Sequence, residues 1–302
     1  MELREIRSLV SLADLGNIHR VAGAVHLSSP SVHKHLKALE QELGVPLYER
    51  SGRALRLTDA AQVILPYLRQ MLAEHDTAHR VLDEWKGVNR GLVRIGAGQI
   101  VGTYLVPRLL EQLFARHPRV HASIQAAPVK PLVERLAIGQ IDVAFLAVQE
   151  LNQEEDIART DVDIICDVIE LEMVFVSGLR GQPCRPSLAA LARMPFVGYE
   201  LGLGITRVAN RYFSELGFQP SVVVRCDYTE SIKTMIQKVP AVALLPLWAV
   251  KREVDEGTLW LLKPRAKTLS LKIVLACRKQ RYAPPAVRAF IDLVRDYGAK
   301  HR

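Results

Sequence analysis

The chain has 302 residues, of which 49% are hydrophobic and 24% are charged, so it is long enough to form two or three domains with packed cores. Its four cysteines lack CxxC spacing and no apolar stretch could span a membrane, which argues against a disulfide framework, a zinc site and a transmembrane protein. The N-terminus reads as an amphipathic helix rather than a signal peptide, and a cytoplasmic location is expected.

The formal net charge of +8 is unevenly distributed along the chain. Residues 1–90 carry 12 Lys and Arg against 11 acids, whereas residues 263–302 carry 11 against two. The excess therefore lies in the C-terminal segment, where we interpret it as a solvated surface that aids solubility. Any prediction of DNA binding must rest on the local arrangement of residues.

Residues 1–58 are predicted to form three helices followed by a hairpin. Gly16-Asn17 separates the first two helices, and Ser28 or Ser29 caps the third, with Pro30 in its first turn. The apolar face of the third helix consists of Val32, Leu36, Leu39 and Leu43. Its other face has no acid before Glu40 and presents Ser31, His33 or His35, Lys34 and Lys37. Because acids would be repelled by phosphate, this helix suits a DNA major groove, and the layout is that of a winged helix-turn-helix.

The hairpin that follows is basic. Gly52 supplies its turn, and Arg50, Arg53 and Arg56 place positive charge at its tip and edges. Taken alone, such a hairpin is more often a solvated loop. Its position after the three helices favours DNA contact, and we expect Arg53 to reach phosphate or the minor groove.

Several short segments of this region match a known pattern at the right spacing: Val21-Ala22, Ser28-Ser29-Pro30-Ser31, Leu39-Glu40-Gln41-Glu42-Leu43-Gly44, Pro46-Leu47-Tyr48-Glu49-Arg50 and Thr58-Asp59-Ala60-Ala61. Together they resemble the DNA-binding region of the LysR-type transcriptional regulators. Two positions depart from the family, because Ser29 stands where Gln is usual and His33 where Ser is usual. Both lie at the front of the recognition helix, so an unusual DNA preference is expected.

The helix-turn-helix and the resemblance together indicate which side chains contact double-stranded DNA. Contacts to bases and nearby phosphates are expected from Ser29, Pro30, Ser31, His33 and Lys34. Lys37, Arg50 and Arg53 are expected mainly to hold the phosphate backbone. A homodimer or homotetramer would place its recognition helices on an imperfect palindrome, with RNA polymerase as a further partner.

Residues 59–87 read as one long helix capped by Thr58, with Asp59 at its positive end. A broken heptad-like stripe along it consists of Ile64, Leu68, Leu72, Leu82 and Trp85. An isolated helix could not hide this stripe, so we expect a helix from a second copy to cover it. His75 and His79 could face one metal ion, but no third ligand is evident, and no metal site is predicted.

From Gly91 onwards strands alternate with helices, which predicts an open, mostly parallel sheet with helices on both faces. In the first half we predict strands at 92–95, 120–125 and 142–147 and helices at 103–116 and 131–138. In the second half we predict strands at 173–177, 222–226, 242–245 and 269–277 and helices at 206–216, 229–239 and 285–297. Two such α/β lobes resemble type 2 periplasmic binding proteins, the fold of the LysR effector domain. Its landmarks are matched at 91–96, Pro107, His117-Pro118 and 139–142.

The predicted fold class is therefore α/β with an N-terminal winged helix-turn-helix, a long linker helix and a two-lobed effector domain. The winged helix-turn-helix is assigned to residues 1–58 and the linker and dimerisation helix to residues 59–89. The effector-binding domain is assigned to residues 90–302. Within it, lobe I comprises 90–163 and 267–302, and lobe II comprises 164–266.

Ligands of open α/β sheets bind beyond the carboxyl ends of the strands, where helix N-termini offer free amides. The effector site is therefore assigned to residues at such loops: Gly98, Gln99, Ile100, Thr103, Pro128, Ala147, Tyr199, Ile205, Thr206, Tyr228 and Thr229. Two facing helix N-termini favour an anionic or polar small molecule. Two departures from the family favour a narrower, less polar pocket, with a more hydrophobic effector or none as the alternatives: Ile100 replaces a usual Ser or Thr, and residues 239–246 lack the family's glycines.

The glycine loop at residues 96–102 admits an alternative function. A strand precedes it and a helix follows it, as in an NAD(P)-binding oxidoreductase that uses Gly96-x-Gly98. The last glycine comes one residue late, and the second strand ends in Ala126-Ala127 without an acid for a ribose hydroxyl. No hydrolase or metalloprotease motif is present either. We therefore predict a transcriptional regulator without catalytic residues or a cofactor, controlled by a small-molecule effector.

Overall fold

The computed structural model describes residues 1–51, 54–85, 91–150, 160–178, 184–200, 204–279 and 283–301. The chain forms two compact units, of which the first is Met1–Gly87 and the second consists of Val88–Ala137 and Ile141–Arg302. Each unit contains its own hydrophobic core. Within the described ranges, no helix is both long enough and apolar enough to cross a membrane.

The first unit is a helical domain with a hairpin. Its elements in chain order are α1 (Leu3–Leu15), α2 (Ile18–Ala24), α3 (Ser29–Leu43), β1 (Tyr48–Ser51), β2 (Ala54–Leu57) and α4 (Asp59–Trp85). The strands β1 and β2 pair antiparallel, with Tyr48 opposite Leu57. The helices bury a shared core, centred on Leu9, Val32 and Leu36, which are fully inaccessible. This order of elements confirms the predicted winged helix-turn-helix.

The helix ends of this unit are set by short polar signals. The Asn17 side chain accepts hydrogen bonds from the amides of His19 and Arg20, which caps α2. For α3, the N-cap is Ser28, whose hydroxyl oxygen accepts from the Ser31 amide at 3.3 Å, and this resolves the choice between Ser28 and Ser29. Gly44 ends α3 in the left-handed region, with φ of 71°.

Two predictions about apolar side chains of this unit were wrong. Leu43 lies in the last turn of α3 and is 38% exposed rather than buried. Along α4, two members of the predicted intermolecular stripe, Leu68 and Leu72, are 4% and 9% exposed because they pack into the core of their own unit, whereas Leu82 is 51% exposed and its contact with a second copy stays a prediction. The Trp85 side chain and residues 86–87, with which the stripe and the predicted helix ended, lie outside the description.

The second unit is built on one mixed sheet. The strands are β3 (Leu92–Ala97), β4 (His121–Ala126), β5 (Val143–Ala147), β6 (Val162–Ser177), β7 (Pro195–Tyr199), β8 (Ser221–Cys226), β9 (Val242–Pro246), β10 (Trp260–Leu262) and β11 (Leu269–Arg278). Their order is β4-β3-β5-β11-β6-β9-β7-β8, with β10 paired to β6. Here lobe I denotes the half with β3–β5 and lobe II the half with β7–β10. The long antiparallel strands β6 and β11 lie between the halves and join them.

Helices pack on both lobes. They are α5 (Gln99–Tyr104), α6 (Val106–Arg116), α7 (Val129–Ala137), α8 (Leu188–Ala192), α9 (Gly204–Glu215), α10 (Thr229–Lys238), α11 (Leu247–Asp255) and α12 (Pro285–Lys300), with a 3-10 turn η1 (Val148–Glu150). The α12 helix packs on β6, β3 and α6, so the C-terminus returns to lobe I as expected.

The predicted elements differ from the observed ones in several places. One helix was expected over 103–116, but α5 and α6 are separate, because Pro107 has no N–H to continue the first. Residues 162–172 belong to β6, although no strand was predicted there. Acidic residues in this part of β6 obscure the alternation of apolar and polar residues that marks a strand. Two of them form ion pairs: Lys272 Nζ lies 2.8 Å from Asp167 Oδ2, and Lys279 Nζ lies 3.6 Å from Asp163 Oδ1. The strands β7 and β10 and the helices α8 and α11 were also not predicted.

Candidate functional site

The outward face of α3 is the first candidate site. Pro30, His33, Lys34 and Lys37 are exposed at the spacing of one helix face, whereas Val32, Leu36 and Leu39 on the other face are fully buried. The two side chains near the helix start are half-buried. Ser29 Oγ lies 3.1 Å from His19 Nδ1, and Ser31 Oγ lies 2.9 Å from Ser28 Oγ. The α3 helix thus presents a row of hydrogen-bonding and cationic groups to solvent.

The structure separates the two histidines that the sequence left as alternatives. His33 is exposed on the outward face. His35 points towards α1, where its Nδ1 lies 3.0 Å from the hydroxyl oxygen of the fully buried Ser8. The Ser8 hydroxyl donates in turn to the Arg4 carbonyl at 3.0 Å. His33 is therefore the candidate DNA contact, and His35 is a packing residue.

Glu40, the first acidic residue of α3, connects this helix to the start of the hairpin. Its carboxylate accepts a hydrogen bond from the buried Leu47 amide at 2.7 Å, so this acid has a structural role. Arg56 is exposed and stands opposite Glu49 in the strand pair. The Arg50 side chain and residue Arg53, both predicted to hold phosphate, lie outside the described part of the molecule. The exposed His19 and Arg20 in the first turn of α2 were not predicted, although His19 contacts Ser29.

The second candidate site is a cavity of about 270 Å³ between the two lobes of the second unit. Eight residues assigned to the effector site line it: Gly98, Gln99, Ile100, Pro128, Ala147, Tyr199, Ile205 and Tyr228. The other lining residues are Val101, Ala126, Ala127, Val129, Phe145, Leu171, Gly204, Asp227, Leu271 and Ile273. Residues from β5, β6 and β11 were missed because the central strands of the sheet, and not only the loops, form the floor of the cavity.

Three assigned residues do not line the cavity. Thr103 is exposed elsewhere on α5. The Thr206 hydroxyl donates to the Glu200 carbonyl at 2.7 Å, and the Thr229 hydroxyl lies 2.8 Å from the Tyr199 hydroxyl. Both threonines are buried and serve the loops around them, so their placement at the cavity was wrong. Residues 201–203, which precede α9, lie outside the description.

A polar cluster joins α5 of lobe I to α10 and α11 of lobe II. The Tyr104 hydroxyl donates a hydrogen bond to the Glu230 carboxylate. Lys233 Nζ lies 2.9 Å from Glu230 Oε1 and 2.8 Å from Glu253 Oε1. Burial and then the Glu230 contact raise the pKa of the Tyr104 hydroxyl well above its usual range. Tyr104 therefore remains a hydrogen-bond donor across the neutral range.

Gly96, the first glycine of the loop, lies in β3 and allows close packing there. A Cβ atom added to Gly96 would lie 2.4 Å from Ile141 Cδ1 and 2.7 Å from Leu132 Cδ2, so the close approach of these side chains explains this glycine. The helix after the loop has only six residues and ends before α6. These features belong to the lobe interior and give a reason for the glycine pattern other than dinucleotide binding.

The described residues give no other chemical site. Among the described residues, Cys166, Cys184, Cys226 and Cys277 are thiols that form no disulfide bond. The rings of His75 and His79 are 4.6 Å apart, but the described residues contain no group of three side chains that could hold a metal ion.

Comparisons with known proteins agree across both units. Residues 3–62 match the model of the bacterial regulatory helix-turn-helix protein, lysR family, and residues 86–299 match the LysR substrate binding domain. The chain is 28% identical to an SDS degradation transcriptional activation protein of Pseudomonas sp. (strain ATCC 19151). This alignment covers 99% of this chain and 97% of that protein. It is 27% identical to a RuBisCO operon transcriptional regulator of Allochromatium vinosum, with coverages of 99% and 97%.

Solved structures of full-length regulators share the fold. CbnR, a LysR family transcriptional regulator, aligns with a TM-score of 0.72 at 18% identity and 99% coverage of both chains. A full-length OxyR variant from Pseudomonas aeruginosa aligns with a TM-score of 0.71 at 22% identity and 98% coverage of both chains. The comparisons contain regulators and give no support to the oxidoreductase alternative. The chain belongs to the LysR family of transcriptional regulators, and it is a DNA-binding regulator rather than an enzyme.

Proposed function

We propose that this regulator acts as a homodimer or homotetramer that binds an imperfect palindrome in double-stranded bacterial DNA and responds to a small molecule held between its lobes. The observation that carries the proposal is the exposed row of Pro30, His33, Lys34 and Lys37 on α3. In a winged helix-turn-helix this helix enters the major groove. The relatives' names concern different processes, so target genes are not transferred to this chain.

We assign separate tasks to the side chains of the DNA-binding face. Ser29, Pro30, Ser31, His33 and Lys34 lie at the start of α3, where side chains reach base edges and the nearest phosphates. Lys37 is one turn further along and is assigned to the phosphate backbone, together with Arg50 and Arg53 of the hairpin. This division predicts that loss of Lys34 changes sequence preference, whereas loss of Lys37 weakens all sites alike.

The α4 helix supports assembly through a different face from the one the heptad pattern suggested. Val63, Tyr67 and Met71 are spaced by four residues and are 69%, 67% and 42% exposed. Three large apolar side chains in one exposed row are costly to leave in water. We assign this row to contact with a second copy of the chain, which would bring two recognition helices to one palindrome.

The cavity between the lobes is the proposed effector site. A ligand held by both lobes changes the equilibrium between their relative orientations by its difference in affinity for them. We propose that this alters the spacing of the DNA-binding heads, and therefore the DNA footprint or bend more than the affinity. A cytoplasmic location and RNA polymerase as a further partner are proposed from the family and not from any feature of the cavity.

The proposal is tested by selecting DNA from a random duplex pool with the purified full-length protein. Recovery of a palindromic motif is expected, and binding should weaken steeply with salt because phosphate contacts release counterions. Lys34→Ala should lose the motif. Lys251→Ala, which removes an exposed lysine from α11 of the second unit, is the matched control and should retain it. Failure to recover any motif with the unmodified protein would contradict the proposal.

A further inference from the structure

The side chains that line the interlobe cavity are mostly apolar. Twelve of them are hydrocarbon in character and come from both lobes and the central strands: Ile100, Val101, Ala126, Ala127, Pro128, Val129, Phe145, Ala147, Leu171, Ile205, Leu271 and Ile273. Such a lining favours a ligand with a hydrocarbon body, because each buried apolar surface element is stabilised on leaving water. The volume of about 270 Å³ is slightly below the range of about 300–1,000 Å³ that is usual for small-molecule sites, which favours a small ligand.

The polar side chains at the cavity include Gln99 and Tyr228, which can donate to a neutral oxygen as well as to a carboxylate. The Tyr199 hydroxyl is buried and lies 2.8 Å from the Thr229 hydroxyl, so it is already paired. Of the described lining side chains, Asp227 alone carries a formal charge at neutral pH, and that charge is negative. No lysine, arginine or histidine is among those lining residues, and the undescribed segment 201–203 reads Leu-Gly-Leu.

The surroundings of the cavity reinforce this balance of charge. Burial and then the carboxylates of Asp227 and Glu200 raise the pKa of the neighbouring Cys226 thiol. Two cations on adjacent elements of lobe II are paired with other groups. Lys233 is paired with Glu230 and Glu253, and Arg225 Nη1 donates to the Tyr199 carbonyl at 3.2 Å.

The helix N-termini do not outweigh the negative charge at the cavity. The α5 helix has only six residues, so its dipole is weak, and its N-cap Gly98 provides no side-chain contact. Gly204 and Ile205 at the start of α9 line the cavity together with Asp227. The backbone amides that remain can donate to an uncharged oxygen as well as to a carboxylate.

We infer that the interlobe cavity binds a hydrophobic small molecule whose polar end is neutral or positively charged, and that Asp227 disfavours carboxylates there. This inference rests on the proposed effector site and names the chemistry of its ligand. It differs from the anionic or polar ligand that the two helix N-termini suggested. Ionised carboxylates lose their hydration on entering an apolar cavity without gaining a cation, and this cost opposes their binding.

Three probes with one hydrocarbon body test the inference: 4-tert-butylbenzylamine, 4-tert-butylbenzyl alcohol and 4-tert-butylbenzoate. Each is titrated into the full-length protein by isothermal titration calorimetry at pH 7. We expect the amine and the alcohol to bind at least about tenfold more tightly than the benzoate, because only the benzoate leaves an unpaired negative charge in the cavity. Ala126→Trp, which fills the cavity from an exposed position on β4, should abolish binding of the amine and the alcohol.

The Asp227→Asn variant tests the effect of the Asp227 charge alone. It should weaken binding of the amine by about two- to fivefold and strengthen binding of the benzoate by a similar factor, as expected for one solvent-exposed charge pair. Asp255→Asn, at the exposed end of α11 and away from the cavity lining, is the matched control and should change neither. Tightest binding by the benzoate, or no binding by the amine and the alcohol, would overturn the inference. Recovery of a palindromic DNA motif alongside either result would leave the regulatory proposal intact.

Discussion

Tyr104 and Glu230 form the direct hydrogen bond between the two lobes, with the Tyr104 hydroxyl on α5 donating to the Glu230 carboxylate on α10. Lys233 lies beneath this contact and places its ammonium group 5.9 Å from the centre of the Tyr104 ring. Both helices also supply or adjoin residues at the cavity, since Gln99 begins α5 and Tyr228 precedes α10. The contact therefore reports on the relative position of the lobes at the place where a ligand would act.

Tyr104→Phe should loosen the lobes without changing their interiors, because it removes one hydroxyl and keeps the ring. We expect faster amide hydrogen exchange in α5 and α10 and little change in the core strands, since the lost contact is local. Thr103→Val, which removes an exposed hydroxyl from the same helix and away from the cavity lining, is the control. Identical exchange in the two variants would show that the Tyr104 hydroxyl does not hold the lobes together.

The same contact should depend on acid pH. Partial burial opposes ionisation of Glu230, but the hydrogen bonds from Tyr104 and Lys233 outweigh it and hold the Glu230 pKa below its usual value. A depressed pKa means that the contact is present above the ordinary carboxyl pKa and is lost as the pH falls through the lower value. Exchange of α5 and α10 should therefore increase once the pH falls below the usual carboxyl range. Glu230→Gln should remove this increase, and a variant that retained it would point to another acid.

The stability of the second unit should depend on Lys233 and Glu253 as a pair. Their side chains are 7% and 6% exposed, so removal of one partner leaves a buried charge uncompensated. Lys233→Met is expected to lower the free energy of unfolding of the second unit by about 3 kcal/mol in urea titrations. The double variant Lys233→Met with Glu253→Met should recover most of that loss. A double variant as unstable as the single one would contradict this explanation.

Substitutions at two adjacent residues of α4 should change different properties, namely assembly and stability. Tyr67 is 67% exposed, whereas Leu68 is 4% exposed and packs into the helix-turn-helix core. Tyr67→Glu should shift the protein towards monomer in analytical ultracentrifugation and leave urea unfolding of the monomer unchanged. Leu68→Ala should lower the free energy of unfolding of the first unit by about 2–4 kcal/mol. An unchanged assembly state for Tyr67→Glu would remove the proposed oligomer face.

Substitutions of the two histidines of α3 should also have different effects, on DNA affinity for His33 and on stability for His35. His33→Ala should reduce affinity for the selected DNA by about tenfold without lowering stability, because its side chain is exposed on the outward face. His35→Ala should lower the free energy of unfolding by about 1 kcal/mol, because it leaves the buried Ser8 hydroxyl with one partner fewer. Fluorescence anisotropy and urea unfolding measure the two effects. Equal effects of both variants on DNA affinity would contradict the separation.

Sequence patterns predicted the first unit in most respects because its signals are local. Asn17, Pro30 and Gly44 act within one turn of helix, and the α3 helix has a clear apolar face. The face of α4 was misassigned for a tertiary reason, since a heptad-like stripe does not show whether its partner lies in the same chain or in another. Similarly, β6 was half missed because its carboxylates are neutralised by Lys272 and Lys279, more than a hundred residues later.

The cavity was predicted from loops and found to depend on strands. Rules for open sheets place ligands beyond strand ends, and they located Gly98, Pro128 and Tyr228. They do not show which side chains of the central strands rise into the cleft, so Leu171, Leu271 and Ile273 were missed. Threonines at helix starts were also assigned to the ligand, although their hydroxyls are used by neighbouring loops.

The long strands β6 and β11 connect both halves of the sheet, and their pairing shifts register between Ile273 and Val274 and again between Leu275 and Ala276. Irregular pairing of this kind increases local strand twist. Ile273, which lines the cavity, lies at the first of these shifts, on a strand that joins the two halves of the sheet. A ligand against Ile273 therefore contacts the connection between the lobes as well as the lobes themselves.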